Sequence, residues 1–221
     1  PNSMPSSCGE MLRDAVLRLE AITDTPRLDA ELLLAAAQGW SRSELLRRLR
    51  EPGDSAVYES LLAQRLQQEP VAYILGDCEF YSLNFRIRPP VLIPRPETEH
   101  LVETVLAYKE RRSSLSPFRI LDLCTGSGCI ACTLAHEAPD AQVTATDLMP
   151  HAVALARENA RRLGIAVTIG EGDLFAALPA GEAPFEVIVS NPPYVSDAEW
   201  DTLARDIRDY EDVRALLAGA D

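Results

Sequence analysis

The sequence predicts an α/β protein whose parallel, doubly wound sheet is preceded by a small helical bundle and a β-hairpin bridge. Three observations carry this. Apolar residues in the first 75 positions recur at helical spacing. After Pro117, short apolar strands alternate with helical stretches, the pattern of βαβ units. The length of 221 residues, with 47% hydrophobic and 25% charged, gives material for one large domain or two small ones.

In the first 75 residues, Leu12, Ala15, Val16, Leu19 and Ile22 form one apolar stripe of a first helix. Thr25-Pro26 offers an N-cap with proline at the first helical position, opening a second helix through Leu28, Leu32, Ala35 and Ala36. Ser41-x-x-Glu44 is a capping box for a short third helix through Leu45, Leu46 and Leu49. Glu51-Pro52-Gly53 breaks the chain, and Asp54 caps a fourth helix bearing Val57, Leu61, Leu62 and Leu66 that ends before Pro70. Residues 1–75 therefore read as a helical bundle, a packing or partner-docking module without a catalytic cluster.

Residues 76–92 change texture. Phe80 to Ile87 alternates and is rich in aromatics, so it reads as a β-hairpin bridge. Pro89-Pro90 and Pro94-x-Pro96 stiffen the path. Residues 93–221 form the remaining domain. Leu92 to Glu99 leads into a helix with Leu101, Val102, Val105 and Leu106, and Arg111 to Pro117 is a polar loop. Strands are predicted over Arg119–Leu123, Val143–Asp147, Val167–Ile169 and Phe185–Ser190, with helices over Ile130–Glu137 and Ala152–Leu163, the latter ending at Gly164.

The formal net charge of −13 argues against a protein that grips nucleic acid mainly by neutralising phosphates. No apolar run approaches the roughly 18–20 residues needed to span a bilayer, and no secretory signal is visible. Five cysteines, an odd and clustered set, make a poor disulfide framework, so a reduced, cytoplasmic setting is expected. Cys129-x-x-Cys132 has no second pair to complete a metal site and reads as small apolar residues on a helix.

Gly126-x-Gly128-x-x-Ala131 follows a strand and opens a helix. Glycines there let the backbone approach a ligand, and a helix N-terminus offers free N–H groups. Asp147 closes the next strand 19 residues after Gly128, placed to accept from ribose hydroxyls. Nicotinamide dinucleotides, flavins and S-adenosylmethionine share such a site. Asp122 beside the turn favours the cationic sulfonium of the last over a pyrophosphate, unless it only caps the turn. Asp173 after the third strand is placed to meet an adenine amino group while Leu174 packs on the ring, with a plain helix cap as the other reading of Asp173.

Asn191-Pro192-Pro193-Tyr194 ends the fourth strand. Prolines have no N–H, so this segment presents carbonyls, and the Asn191 side chain adds another. Together they suit both hydrogens of a planar –NH2 group, with Tyr194 as a stacking surface. Holding both N–H bonds orients an otherwise poor amide nucleophile and offsets the positive charge that develops on it.

With these motifs in order, the whole chain resembles the HemK/PrmC-type release factor glutamine methyltransferases. The resemblance rests on the helical module, Leu92-Ile-Pro-Arg-Pro-Glu-Thr-Glu99, Asp122-Leu-Cys-Thr-Gly-Ser-Gly128 and Asn191-Pro-Pro-Tyr194. It implies a Rossmann-like methyltransferase domain and methyl transfer from S-adenosylmethionine, leaving S-adenosylhomocysteine, with no metal required. The acceptor it implies is the side-chain amide of the glutamine in the Gly-Gly-Gln motif of class-1 peptide chain release factors. Cys124, Thr125, Gly126, Ser127, Gly128, Asp147, Asp173, Leu174 and Asn191 would line the cofactor. Asn191, Pro192, Pro193 and Tyr194 would be catalytic, holding the glutamine. The bundle would help dock the release factor, in the bacterial cytoplasm or, for an organellar member, the mitochondrial matrix. No direct contact with nucleic acid or membrane is expected.

Three departures stand out. Cys124 sits where the family carries glycine, and Leu174 where it often carries an aromatic. Tyr210-Glu211-Asp212 lacks the proline usual after the glutamate, which leaves that loop's conformation open. Only four strands precede Asp221 where seven are normal, so the domain is expected to be truncated after the fourth strand, leaving that strand as an edge. Two alternatives remain at this point: a DNA adenine-N6 methyltransferase, disfavoured by the charge, and a dehydrogenase or adaptor using the same glycine loop.

Overall fold

A computed structural model describes residues 6–112 and 117–219. Of the predicted 111–117 loop, residues 113–116 lie outside the described residues, as do the chain's last two. The chain divides into two compact units, one ending at Leu75 and the other beginning at Gly76.

The first unit is helical. α1 (Cys8–Leu19) starts at a capping box of Ser7 and Glu10, and it ends before the predicted Ile22. α2 (Pro26–Gln38) has Pro26 in its first turn and stops at Gly39, whose φ of +67° closes the helix as glycine does without strain. Thr25 occupies the N-cap position but does not cap with its side chain; its hydroxyl donates to Asp29 Oδ1 at 3.0 Å instead. α3 (Arg42–Arg47) has the predicted capping box and α4 (Ser55–Leu66) the predicted Asp54 cap. A fifth helix, α5 (Val71–Leu75), follows Pro70 and was too short to show a period. The apolar stripes meet in a core of Leu12, Ala15, Leu19, Leu33, Leu34, Leu45, Tyr58 and Leu62. At about 1.5–3 kcal/mol per fully buried large side chain, that core is what holds such short helices. Beside it, Arg65 Nε donates to Asp29 Oδ2 at 2.8 Å, both side chains nearly sealed from water.

The second unit opens with the hairpin of β1 (Asp77–Phe80) and β2 (Leu83–Arg86), antiparallel as predicted. Tyr81 and Ser82 turn it with φ of +49° and +62°, the sign a tight two-residue hairpin turn requires. Phe80 and Phe85 pack edge to face at 6.2 Å. A 3-10 turn (Pro96–Thr98) leads into α6 (Glu99–Glu110). Then come β3 (Arg119–Leu123), α7 (Cys129–Glu137), β4 (Gln142–Asp147), α8 (Pro150–Leu163), β5 (Thr168–Glu171) and β6 (Val187–Ser190).

These four strands pair in parallel in the order β5-β4-β3-β6. The chain steps outward from β3 to β4 and β5, then returns to the other side of β3. That reversal makes a crevice at the carboxyl ends of β3 and β6, where open α/β sheets bind ligands. β6 lies at one end of this sheet, with Ile188 53% exposed. Beyond the predicted strands, β7 (Val195–Ser196) and β8 (Leu217–Gly219) form a small parallel pair. Between them run α9 (Asp197–Trp200), α10 (Arg205–Tyr210) and α11 (Val213–Leu216). Cys129 and Cys132 are buried in the core of this unit. Burial pushes the Cys132 thiol up to about 12.

Candidate functional site

All four sequence segments expected at the site leave the sheet at its carboxyl edge. The chain exits β3 into Cys124–Gly128, β4 at Asp147, β5 into Gly172–Leu174 and β6 into Asn191–Tyr194. A first cavity, about 810 Å³ of empty space counting its open mouth, brings together Cys124, Gly126, Asp147, Asp173, Leu174, Asn191 and Pro193.

Asp147 is held in place by the backbone. Gly126 N–H donates to its Oδ2 at 2.8 Å and Met149 N–H to its Oδ1 at 2.9 Å. Each carboxylate oxygen keeps a second lone pair for a ligand hydroxyl. A Cβ built on Gly126 would meet nothing nearer than Val91 Cγ1 at 4.0 Å, and its φ is +56°. The glycine thus leaves free space beside the backbone where a ligand can lie. Gly128 has a different task. It lines none of the cavities described, and a Cβ there would come within 3.0 Å of Ala156 Cβ, so it lets α7 pack on α8. Cys124 adopts φ of +59°, which explains why a glycine is expected at that position.

Thr125 and Ser127 are buried and line a smaller recess with Leu92, Pro94, Thr98 and Asn191 rather than the first cavity. Thr125 Oγ1 donates to Asp122 Oδ2 at 2.6 Å. Asp122 is fully buried and its Oδ1 has no hydrogen-bond partner among the described residues. Burial pushes its carboxyl up to about 7, against the hydrogen bond from Thr125. Asp122 therefore caps the turn and does not line the first cavity, which corrects the expectation that it faces a sulfonium. Asp173 sits at the N-cap position of the 3-10 turn Leu174–Ala177 without a side-chain cap bond, and Leu174 is 49% exposed.

A second cavity adjoins the first. It is lined by Asn191, Pro192 and Tyr194, by Leu92, Arg95, Glu97, Thr98 and Leu101 between the end of the bridge and the start of α6, and by Leu203, Ile207, Ala215 and Leu216 from the C-terminal segment after α9. Leu92, Asn191 and Ala215 line both cavities and so form the boundary between them. The two prolines divide across it, Pro193 on the first cavity and Pro192 on the second. Asn191 Nδ2 points to Thr98 Oγ1 at a long 3.5 Å, an assignment that turns its carbonyl oxygen the other way. Tyr194 is 70% exposed, a free ring at the rim.

The sequence motifs missed the walls contributed by the C-terminal arm. Asp212, Arg214 and Ala215 line the first cavity with His151 and Met149 from the start of α8. The arm is fastened by Arg95 Nη2 donating to Glu211 Oε1 at 2.7 Å, with the Glu211 side chain 1% exposed. Burial raises the Glu211 carboxyl while Arg95 pulls it back down. Asp212 stands where the family's proline is expected and has a proline-like φ of −66°. Its N–H donates to Pro90 O at 2.7 Å, a bond proline could not make. Burial works against the Asp212 charge, but hydrogen bonds from Arg214 hold its carboxyl below the usual range. The Tyr-Glu-Asp departure was the one signal pointing here.

The family model of the PrmC N-terminal domain matches residues 10–76, and that of the methyltransferase small domain matches residues 98–208. A release factor glutamine methyltransferase of Koribacter versatilis is 44% identical over 93% of this chain and 73% of its own length. The chain belongs to the release factor glutamine methyltransferase family. Relatives of the same name from Nitratidesulfovibrio vulgaris and Moorella thermoacetica are each 42% identical, over 95% and 96% of this chain and 71% and 75% of theirs. Among solved structures, a 16S rRNA N2 G1207 methyltransferase of T. Thermophilus aligns with 54% of this chain and 32% of its own at 24% identity and a TM-score of 0.44, a loose likeness. Family membership settles the question left by Asp122, since methyl transfer and not hydride transfer is the family's chemistry. No helix among the described residues is long and apolar enough to cross a membrane.

Proposed function

We propose that the chain transfers a methyl group from S-adenosylmethionine to the side-chain amide nitrogen of the glutamine in the Gly-Gly-Gln motif of class-1 peptide chain release factors. The observation that carries this is the pair of cavities meeting at Asn191. The first cavity suits the cofactor. Asp147 offers two preset acceptors to the ribose, Gly126 leaves backbone space, and Asp173 and Leu174 stand where an adenine edge and face would lie. The cofactor supplies an electrophilic methyl on a sulfonium.

The chain's own residues do the rest. The Asn191 carbonyl and the proline carbonyls accept the two amide hydrogens and aim the nitrogen at the first cavity. They also offset the positive charge developing there, fixed dipoles that need no reorganisation. Tyr194 covers the amide plane. The bundle of residues 1–75 docks the release factor, and the setting is the cytoplasm. A DNA adenine acceptor is not favoured: the relatives are named for a protein substrate, and the chain is strongly acidic.

Two variants test the division of labour. Asn191→Ala removes most methyl transfer while calorimetry finds affinity for S-adenosylhomocysteine within a few-fold of the parent. Asp147→Ala weakens that affinity by about 1.5–3 kcal/mol, the worth of hydrogen bonds to a charged group. Full transfer by the Asn191 variant would sink the amide-clamp role.

A further inference from the structure

The helical unit carries an unusual charge feature in an acidic chain. Residues 42–50 hold four arginines against the single Glu44. On this unit an open cleft has Leu12 and Leu49 as apolar lining, with Arg13, Arg27 and Arg50 around it. Arg27 is tied through its Nε to Glu31 at 2.8 Å, an acid it shares with Arg42. Arg13 and Arg50 make no ion pair within 4.0 Å among the described residues. Glu10, one turn back on α1, accepts from the Ser7 N–H and hydroxyl, each at 2.9 Å, and feels the Arg13 charge only as a minor pull on its carboxyl. Other arginines, Arg47 and Arg161 among them, also lack an ion pair among the described residues; Arg13 and Arg50 are the two of these that line the cleft.

We propose that this cleft is a binding site for an acidic segment of a partner protein, taking carboxylate side chains on Arg13 and Arg50 and a neighbouring apolar side chain on Leu49. A guanidinium fork matches a carboxylate in two parallel hydrogen bonds. The apolar lining between the arginines suits a peptide with mixed acidic and apolar residues better than a bare anion. A nucleic acid is the weaker fit. The basic groups form one cleft and not a track, and the net charge of −13 repels an extended polyanion. None of its residues lines either cavity at the sheet edge, so its binding can be measured apart from methyl transfer.

The test uses the full chain and a short labelled peptide of alternating glutamate and leucine, followed by fluorescence anisotropy. Controls are the same peptide with glutamine for glutamate, a single-stranded RNA of matching length, and inorganic phosphate. The glutamate peptide should bind and the glutamine peptide should not. The double variant R13E/R50E should weaken binding at least about tenfold, while R111E, on the other unit, leaves it unchanged. Thermal unfolding of R13E/R50E should match the parent, because both side chains are exposed. Undiminished binding by R13E/R50E, no binding of the glutamate peptide, tighter binding of RNA, or full displacement by low millimolar phosphate would each overturn the proposal.

Discussion

The two cavities at the sheet edge are walled by different kinds of sequence. The first rests mainly on strand ends, where each residue is placed by neighbours: Asp147 by two backbone N–H groups, the glycine loop by its own positive φ angles; Asp212, Arg214 and Ala215 of the arm complete it. The second depends on the bridge and the C-terminal arm. Those are joined by the Arg95–Glu211 pair across 116 positions and by Asp212 N–H on Pro90 O. A wall of the first kind forms whenever its strand forms. A wall of the second kind exists only while a buried charge keeps its partner, so it is the more fragile half of the site.

Arg95→Ala breaks that comparison most sharply. It strands the Glu211 carboxylate in a buried place, a loss of about 3–5 kcal/mol. Amide hydrogen exchange should rise across residues 205–216 and stay unchanged in β3 and β4. Unaltered exchange in the arm would mean that other contacts hold it.

The first wall has a cost of its own at Asp122. Burial raises its pKa to about 7 from the ordinary carboxylate range, so the folded state binds the proton more tightly than the unfolded state. Its favourable contribution is full below about pH 4 and fades as pH rises to about 7, by about 4 kcal/mol at most. Asp122→Asn removes this titration. Urea unfolding across that window should show the variant gaining stability relative to the parent as pH rises. A constant difference would contradict the burial argument.

Ala215 tests the boundary shared by the two cavities. Ala215→Leu should crowd both sides of it and lower methyl transfer by about 100-fold through misplacement of the reacting groups. Thermal stability should change little, because Ala215 borders open space. The smallest effect is expected at Cys124. Its φ of +59° strains any residue with a Cβ, so Cys124→Gly should raise stability by about 1 kcal/mol in thermal unfolding.

The same contrast explains what the sequence disclosed. Ser41-x-x-Glu44, Asp54, the glycine loop and Asn191-Pro-Pro-Tyr194 are local signals, and each sits where its spacing placed it. Thr25 and Pro26 open α2 where their spacing placed them, though the Thr25 hydroxyl bonds Asp29 and makes no side-chain cap. Asp122 favoured the right cofactor, yet of its two readings the structure has the turn cap, because position beside a loop does not say which way a side chain is buried. Gly128 looked like a ligand-facing glycine, yet its demand comes from Ala156 on the next helix. Arg95 and Glu211 were unreadable as a pair, since nothing local connects residues so far apart. Asp212 was visible only as a missing proline.

The central claim is that two adjoining cavities bring a sulfonium methyl and a glutamine amide together at Asn191. The most direct measurement is mass spectrometry of a class-1 release factor after incubation with the purified chain and S-adenosylmethionine. A one-methyl mass gain on the Gly-Gly-Gln glutamine, absent when that glutamine is replaced, is the predicted result. A methyl found on another residue, or a gain that survives replacement of the glutamine, would contradict it.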